Sequence, residues 1–377
     1  MNTHWIDNRW HDTNETAIPV RNPATGGIIG RIPSGGAATA NAAVRAARKA
    51  FNSWRWLPGV EKAHLLHEIA HRIRAMQKPL AAQMTKEGGK PWCENRDEVE
   101  WTAACFDYYA EIGRNSRGAS LPPVAPHQVN FTIKEPYGVV VGLVPWNYPL
   151  LLMSWKVAPA LAAGNTFILK PSEETPFATL ALAEAFSVLP PGVLNIVLGY
   201  GEQIGEVLVR HPGTDVIALT GSVATGRHVG RLCADQVKKF HAELGGNDPF
   251  IVCSDADLEV AVRGACWAAF LNAGQVCTSA KRIYVFEAIA DRFIRRAVAF
   301  AKSLRIGDGM NPRTDIGPMI NARQRDDVHA RVMDAVARGA RLRCGGRIPP
   351  RLTRGYFYEP TILTGVTPDM DVVKTET

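Results

Sequence analysis

A chain of 377 residues, at about 150 residues per domain, has room for two or three domains and a sizeable core, which excludes a peptide or a small module. Hydrophobic residues make up 46% and charged residues 21%, ordinary usage that excludes collagen-like, coiled-coil and wholly disordered chains. Lys and Arg (43) exceed Asp and Glu (36) by seven charges, but the basic residues are scattered, and neither a nucleic-acid surface nor a nucleic-acid partner is expected.

The opening 1–20 is polar and carries no apolar core of a secretory signal. Amphipathic helices are predicted over 39–54 and 61–76, where apolar residues recur at three and four spacing. The second contains His67-Glu68-Ile69-Ala70-His71, an H-E-x-x-H pattern that on a helix can offer two imidazoles to zinc and a carboxylate to water. At about 100° per residue, however, Leu66, Ile69, Ala70 and Ile73 form the apolar face and both histidines point away from it. The motif therefore reads as the polar surface of a helix, a zinc peptidase stands only as an alternative, and no metal site is expected.

From 138 the character changes. Short apolar runs at 138–144, 166–169, 194–198 and 216–219 read as buried strands, with helical stretches at 150–163, 176–187 and 202–210 between them. That rhythm predicts an α/β fold with a parallel sheet covered on both faces. The long apolar stretch 139–163 is interrupted by Pro145, Asn147, Pro149, Lys156 and Pro159, so it is not read as a membrane span. A second α/β unit follows: helices 257–271, 289–304 and 321–338, a strand at 282–286, and strands near Arg341 and Tyr356. The main domain boundary is placed at Gly245-Gly246.

Two turns could hold a phosphate. Gly199-Tyr200-Gly201-Glu202-Gln203-Ile204-Gly205 follows a strand and opens a helix, as in dinucleotide folds, but lacks the acidic partner some 20 residues on, leaving a structural turn and a cofactor loop equally open. Thr220-Gly221-Ser222 sits at another strand-to-helix junction. The seven cysteines are an odd number without C-x-x-C spacing, which argues against a disulfide framework and a thiolate zinc site. With the missing signal, that usage points to a reducing cytoplasm. Cys277 follows a helix predicted to end at Gly274, a position that offers the exposure a nucleophilic thiol needs, although a lone cysteine is more often a buried structural one.

Taken together, Pro145-Trp146-Asn147-Tyr148-Pro149, Lys170-Pro171-Ser172-Glu173, Thr220-Gly221-Ser222, Glu243-Leu244-Gly245-Gly246 and Gly274-Gln275-Val276-Cys277 resemble, in order and spacing, the aldehyde dehydrogenase superfamily. The resemblance runs from Asn22-Pro23 to the end. It implies two parallel-sheet α/β domains: 1–245 binding NAD(P) in a variant Rossmann arrangement, with a bridging segment near 120–138, and 246–377 carrying the catalytic cysteine. Cys277 matches the nucleophile, Asn147 the oxyanion donor and Glu243 the general base; members that pass the acyl group to coenzyme A typically lack that glutamate, so hydrolysis is favoured. Lys170 and Glu173 match adenosine-ribose contacts, Gly221, Ser222 and Trp146 further cofactor contacts, and Glu376 the nicotinamide-ribose clamp.

A carboxylate at Glu173 would repel a 2′-phosphate, so NAD is expected over NADP. Tyr148, Trp155, Leu271, Val276 and Thr278 match the substrate tunnel. Tyr148 and Trp155, seven positions apart, are expected on one helix face, where two aromatics could attract an ammonium-bearing aldehyde. Betaine-aldehyde and aminoaldehyde members pair aromatics here. The partner implied is a small-molecule aldehyde, with no membrane and with assembly as a homodimer or homotetramer. Family chains continue past a Glu-x-Phe-Gly-Pro motif, whereas Glu376 is followed here by Thr377 alone. The resemblance then implies an incomplete catalytic domain, open strand edges, a Glu376 free to fray and little turnover, with a catalytically silent fragment as the alternative.

Overall fold

The computed structural model describes residues 3–377. The chain divides into two compact units. One comprises the residues up to Pro19 with Arg31–Leu80 and Asp97–Glu243; the other comprises Val20–Gly30, Ala81–Arg96 and Leu244–Thr377.

The first unit is built on a sheet of seven strands among the described residues, in the order Lys239–Leu244, Val216–Gly221, Val139–Leu143, Thr166–Lys170, Leu194–Ile196, Thr3–Ile6, Arg9–Asp12. The four strands from Val216–Gly221 to Leu194–Ile196 pair in parallel. Val139–Leu143 and Thr166–Lys170 are buried at every position. Because successive side chains point to opposite faces, both faces are covered, as the unbroken apolar runs imply. One covering helix, Ala37–Trp54, buries Ala40, Ala43, Val44, Ala47, Phe51 and Trp54. Its small alanines let it lie close to the sheet. Another, Pro149–Ala162, buries Leu150, Leu152, Met153, Val157, Ala158 and Leu161.

Three features were not predicted. Thr3–Ile6 and Arg9–Asp12 form an antiparallel hairpin that extends the sheet; its two turn residues, Asp7 (φ 56°) and Asn8 (φ 58°), are the left-handed pair that a two-residue turn requires. The helix Gln77–Gly88 was hidden by Pro79, which is tolerated because it lies in the first turn, where its missing N–H has no helical partner to lose. The helix Trp92–Arg114 mixes aromatic and charged residues around its circumference and shows no clean stripe. In the segment near 120–138, Ser120–Leu121 pairs antiparallel with Asn130–Phe131.

In the second unit Asp248–Val252 pairs in parallel with Ala280–Val285, and the intervening helix Leu258–Phe270 makes a strand-helix-strand crossover. Val252, Val262, Ala265, Cys266, Ile289, Phe293 and Ala297 form its core, to which the helix Glu287–Ser303 contributes. Arg341–Cys344 pairs with Ile362–Thr364 rather than with a strand at Tyr356. The prolines around that tyrosine remove ladder donors, and the Tyr356 N–H goes singly to the Pro23 carbonyl (2.9 Å). That bond, like the one from the Trp92 N–H to the Gly309 carbonyl (3.0 Å), ties to the second unit segments numbered within 1–245. Nothing in local composition marked them. No helix among the described residues is long and apolar enough to cross a membrane.

Candidate active site

Strand order positions the first group of residues. The chain lays Thr166–Lys170 and Leu194–Ile196 to one side of Val139–Leu143, then crosses to place Val216–Gly221 on the other. In such open sheets the crevice at the carboxyl ends of the strands flanking the reversal receives the ligand. Leu143 lies opposite both Leu219 and Lys170. Trp146-Asn147, Gly221-Ser222 and Lys170 through Glu173 therefore emerge at these carboxyl ends.

Ser222 caps the helix Val223–Ala234, its hydroxyl accepting the Thr225 N–H at 3.1 Å. The remaining early N–H groups of that helix suit an anion. Lys170 is buried; its Nζ donates to the carbonyls of Pro171 (2.7 Å) and Gly199 (2.9 Å) and lies 3.6 Å from Glu173. Burial pulls its pKa down and Glu173 pulls it back. One of its three hydrogens thus braces the Gly199 turn, and another holds the Pro171 carbonyl. Gly199 itself has φ +139°, and a Cβ there would lie 2.8 Å from the Gly35 backbone nitrogen. Gly199 is therefore needed where two backbones cross, a structural reason for the first glycine of that pattern.

Glu98, wholly buried, accepts the N–H groups of Leu150 (2.9 Å) and Leu151 (3.1 Å) at the start of Pro149–Ala162. The carboxylate caps that end and complements its dipole. Tyr148 precedes the helix as its cap and is 7% exposed, whereas Trp155 within it is 47% exposed. The two do not share one helical face, because Tyr148 lies outside the helix with extended φ (−133°). Glu243 is exposed on Lys239–Leu244, 3.9 Å from His241. A residue that sequence reasoning passed over lies nearby: Lys156, buried, donates to Thr220 Oγ1 at 2.5 Å. Burial draws its pKa down to about 8, against the charge of Glu243. A lysine inside an apolar stretch was the available signal.

In the second unit the helix before the cysteine ends at Phe270, four residues short of Gly274. Asn272, Ala273 and Gly274 then take left-handed φ values of 49°, 56° and 78°, an arrangement that surrounding bonds must hold for non-glycine residues. The Asn272 N–H donates to Glu94 (3.0 Å), Gln275 Nε2 to the Asn272 carbonyl (3.1 Å), the Ile320 N–H to Gln275 Oε1 (2.9 Å) and Lys281 Nζ to the Gly274 carbonyl. Cys277 follows, partly exposed, with Leu271 and Val276 partly buried and Thr278 exposed.

Gly245 and Gly246 gain a physical role here. A Cβ on Gly246 would collide with the Cys277 carbonyl, and one on Gly245 with the Glu376 carboxylate. The paired glycines thus bring Glu376 and the cysteine loop to one stretch of backbone. Glu376 is held rather than frayed: the Gly246 N–H bonds its carboxylate, and Arg331 bonds its carbonyl. Asn247 donates its side-chain amide to the Val373 carbonyl at 2.7 Å, and its backbone carbonyl accepts from Arg282 at 2.9 Å, fixing the approach to Glu376. Burial raises the Glu376 pKa, with Lys281, Gly246 and Arg331 opposing.

The H-E-x-x-H helix, Gly59–Ala75, buries Leu66, Ile69, Ala70 and Ile73. His67 meets Asp107 through Nδ1 (2.6 Å) and Glu111 through Nε2 (2.7 Å), which spends both nitrogens on carboxylates. Hydrogen bonds donated to Glu111 and Asp107 raise its pKa above 6.5, so the imidazolium's contribution is complete below about 6.5 and is lost as pH rises through the raised value. His67→Gln is expected to lower the melting temperature most at about pH 5.5 and progressively less above it; equal losses in thermal melts across that range would remove the charged clamp.

A sequence model described as "Aldehyde dehydrogenase family" matches residues 10–377. Succinate-semialdehyde dehydrogenase [NADP(+)] of Escherichia coli strain K12 is 40% identical over 375 residues, covering 99% of this chain and 77% of that one. Betaine aldehyde dehydrogenase 1 of Oryza sativa is 42% identical over 369 residues, covering 95% and 73%. Among solved structures, a betaine aldehyde dehydrogenase from Staphylococcus aureus in complex with NAD+ superposes with a TM-score of 0.96 at 34% identity, over 99% of this chain and 76% of that one.

Proposed function

The chain belongs to the aldehyde dehydrogenase family, and from that membership we propose that it oxidises an aldehyde to its acid with NAD, or secondarily NADP, through a thioester on Cys277. The Cys277 thiolate adds to the carbonyl carbon and gives a thiohemiacetal. The Asn147 side-chain amide and the Cys277 N–H donate to the oxyanion, and one such donor contributes roughly 3 kcal/mol to the transition state. A nicotinamide dinucleotide held by Trp146, Lys170, Glu173, Gly221, Ser222 and Glu376 would supply the hydride acceptor for the collapse of that oxyanion. A thioester then remains on Sγ, and Glu243 takes the proton of the water that attacks it. The acid departs and the thiol is restored.

The observation that carries this reading is the locked arc before Cys277, with the Cys277 carbonyl packed on Gly246 and the Glu376 carboxylate on Gly245. Such bonding would hold a nucleophile within the narrow tolerance that catalysis demands. The residues at the sheet reversal fit the adenosine half of the cofactor: Ser222 opens a helix toward an anion, and Glu173 is a partly exposed acceptor for ribose hydroxyls. Tyr148, Trp155, Leu271, Val276 and Thr278 are assigned to the aldehyde path and Trp146 to the cofactor. Assembly as a homodimer or homotetramer is supported by exposed Val124, Val129, Phe131 and Ile133, an apolar group of the kind that marks an interface.

Reduced-cofactor formation with a panel of aldehydes tests the proposal. NAD is expected to be used at lower concentration than NADP, and Glu173→Gln to narrow the gap by removing the charge that repels a 2′-phosphate. Equal use of both cofactors by the unmodified chain would remove that argument.

A further inference from the structure

Glu98 stands outside the mechanism above, yet it is a wholly buried acid within the first unit. It lies on the helix Trp92–Arg114 and reaches the start of Pro149–Ala162, the helix that follows Asn147 and Tyr148. That start has no local cap: Tyr148 in the cap position supplies no side-chain bond, and Pro149 has no N–H. The next two N–H groups, of Leu150 and Leu151, both go to one oxygen, Glu98 Oε1, at 2.9 and 3.1 Å. Leu150 is wholly buried as well, so water can take the place of that acceptor only if the packing opens. On the other side of Asn147, the Trp146 carbonyl accepts the Thr175 hydroxyl at 3.4 Å, and the Val144 N–H donates to the Lys170 carbonyl at 3.2 Å. Asn147 thus sits between two anchored ends, and Glu98 holds the one on the helix side.

We propose that Glu98 is a positioning residue for the oxyanion donor: its carboxylate fixes the first turn of Pro149–Ala162 and, with it, the place of the Asn147 side-chain amide. The inference rests on the role given above to Asn147. Two residues, Tyr148 and Pro149, separate Asn147 from the first clamped N–H, and that span is stiff. The proline ring fixes its own φ and disfavours helical backbone at Tyr148, which is extended at φ −133°. A shift of the helix start is therefore passed on to the amide. Removing the acceptor leaves two backbone donors unpaired at a buried helix end, and such an end must unwind or move to find new partners. An oxyanion donor tolerates little of either, since displacement by about 1 Å can cost about a hundredfold in rate.

The test is the rate of the pre-steady-state burst of reduced cofactor in a double-mutant cycle of Glu98→Met and Asn147→Ala, with Glu98→Gln measured beside them. Asn147→Ala should slow the burst by about a hundredfold to a thousandfold. Glu98→Met should slow it by about tenfold to a hundredfold, with the cofactor concentration for half-saturation unchanged. Glu98→Gln keeps an oxygen at the same reach and should recover most of the lost rate. In the Asn147→Ala background, Glu98→Met should slow the burst by less than about twofold, because the donor it positions is gone. Equal slowing by Glu98→Met in both backgrounds, an unchanged burst in Glu98→Met, or a burst in Glu98→Gln no faster than in Glu98→Met overturns the role of Glu98 while leaving the rest of the mechanism. Absence of any burst in the unmodified chain overturns both that role and the proposed reaction. Should Glu98→Met fail to fold by circular dichroism, the cycle is run with Glu98→Asp, whose carboxylate is withdrawn by one methylene, and an undiminished burst in that variant decides against the proposal.

Discussion

Cys277→Ala is expected to reduce aldehyde oxidation by roughly ten-thousandfold or more, because removing a covalent nucleophile removes the whole pathway built on it rather than one increment of binding. Three of the other thiols are poorly suited to substitute. Cys233 and Cys266 are buried, and burial raises the pKa of both, that of Cys266 to about 11. Cys344 is likewise raised by burial. A thiol held neutral is a poor nucleophile. Retention of near-normal steady-state turnover in Cys277→Ala would show that the assignment is wrong. Binding of cofactor to the same variant, followed by fluorescence quenching, should persist, since Lys170, Glu173 and Ser222 are untouched.

Glu243→Gln is expected to separate the two halves of the reaction. Hydride departs before water attacks, so the first turnover needs no base at Glu243, whereas deacylation does. Loss of a general base costs about a hundredfold to ten-thousandfold. A rapid burst of reduced cofactor, close to one equivalent per site, should give way to a steady rate about a hundredfold lower or less. Loss of the burst itself would move Glu243 into the first half-reaction. The exposed setting of Glu243 and the buried Lys156 beneath Thr220 make the pH dependence of the slow phase a further readout of that surface.

Much of the fold was legible because its evidence is local. The apolar runs Val139–Leu143 and Phe167–Leu169, in alternation with helical stretches, mark strands covered on both faces, and the alanines of Ala37–Trp54 repeat at the helical period. What could not be read depends on distant partners. Asn272 and Ala273 adopt left-handed φ because Glu94, Gln275 and Lys281 hold them, and none of those bonds is visible in a window of neighbouring residues; hence the helix was carried to Gly274 instead of stopping at Phe270. Tyr148 and Trp155 satisfied a spacing rule that presumes both lie in one helix, and Tyr148 is its cap. The meaning of Gly245-Gly246 lay in Cys277 and Glu376, which reach those glycines only after the chain has crossed the sheet. His67 was read correctly as turned from the core, but its clamp by Asp107 and Glu111 required a helix that the sequence did not reveal.

The decisive measurement is the mass of the acyl-enzyme. Glu243→Gln is mixed with NAD and a reactive aldehyde, quenched in acid within the first turnover and digested, and the peptides bearing the seven cysteines are weighed. A thioester on the Cys277 peptide alone, heavier by the acyl group and discharged by hydroxylamine, is the expected result. Formation of acid and reduced cofactor with that peptide unmodified, or an acyl group carried by another cysteine, would contradict catalysis through Cys277.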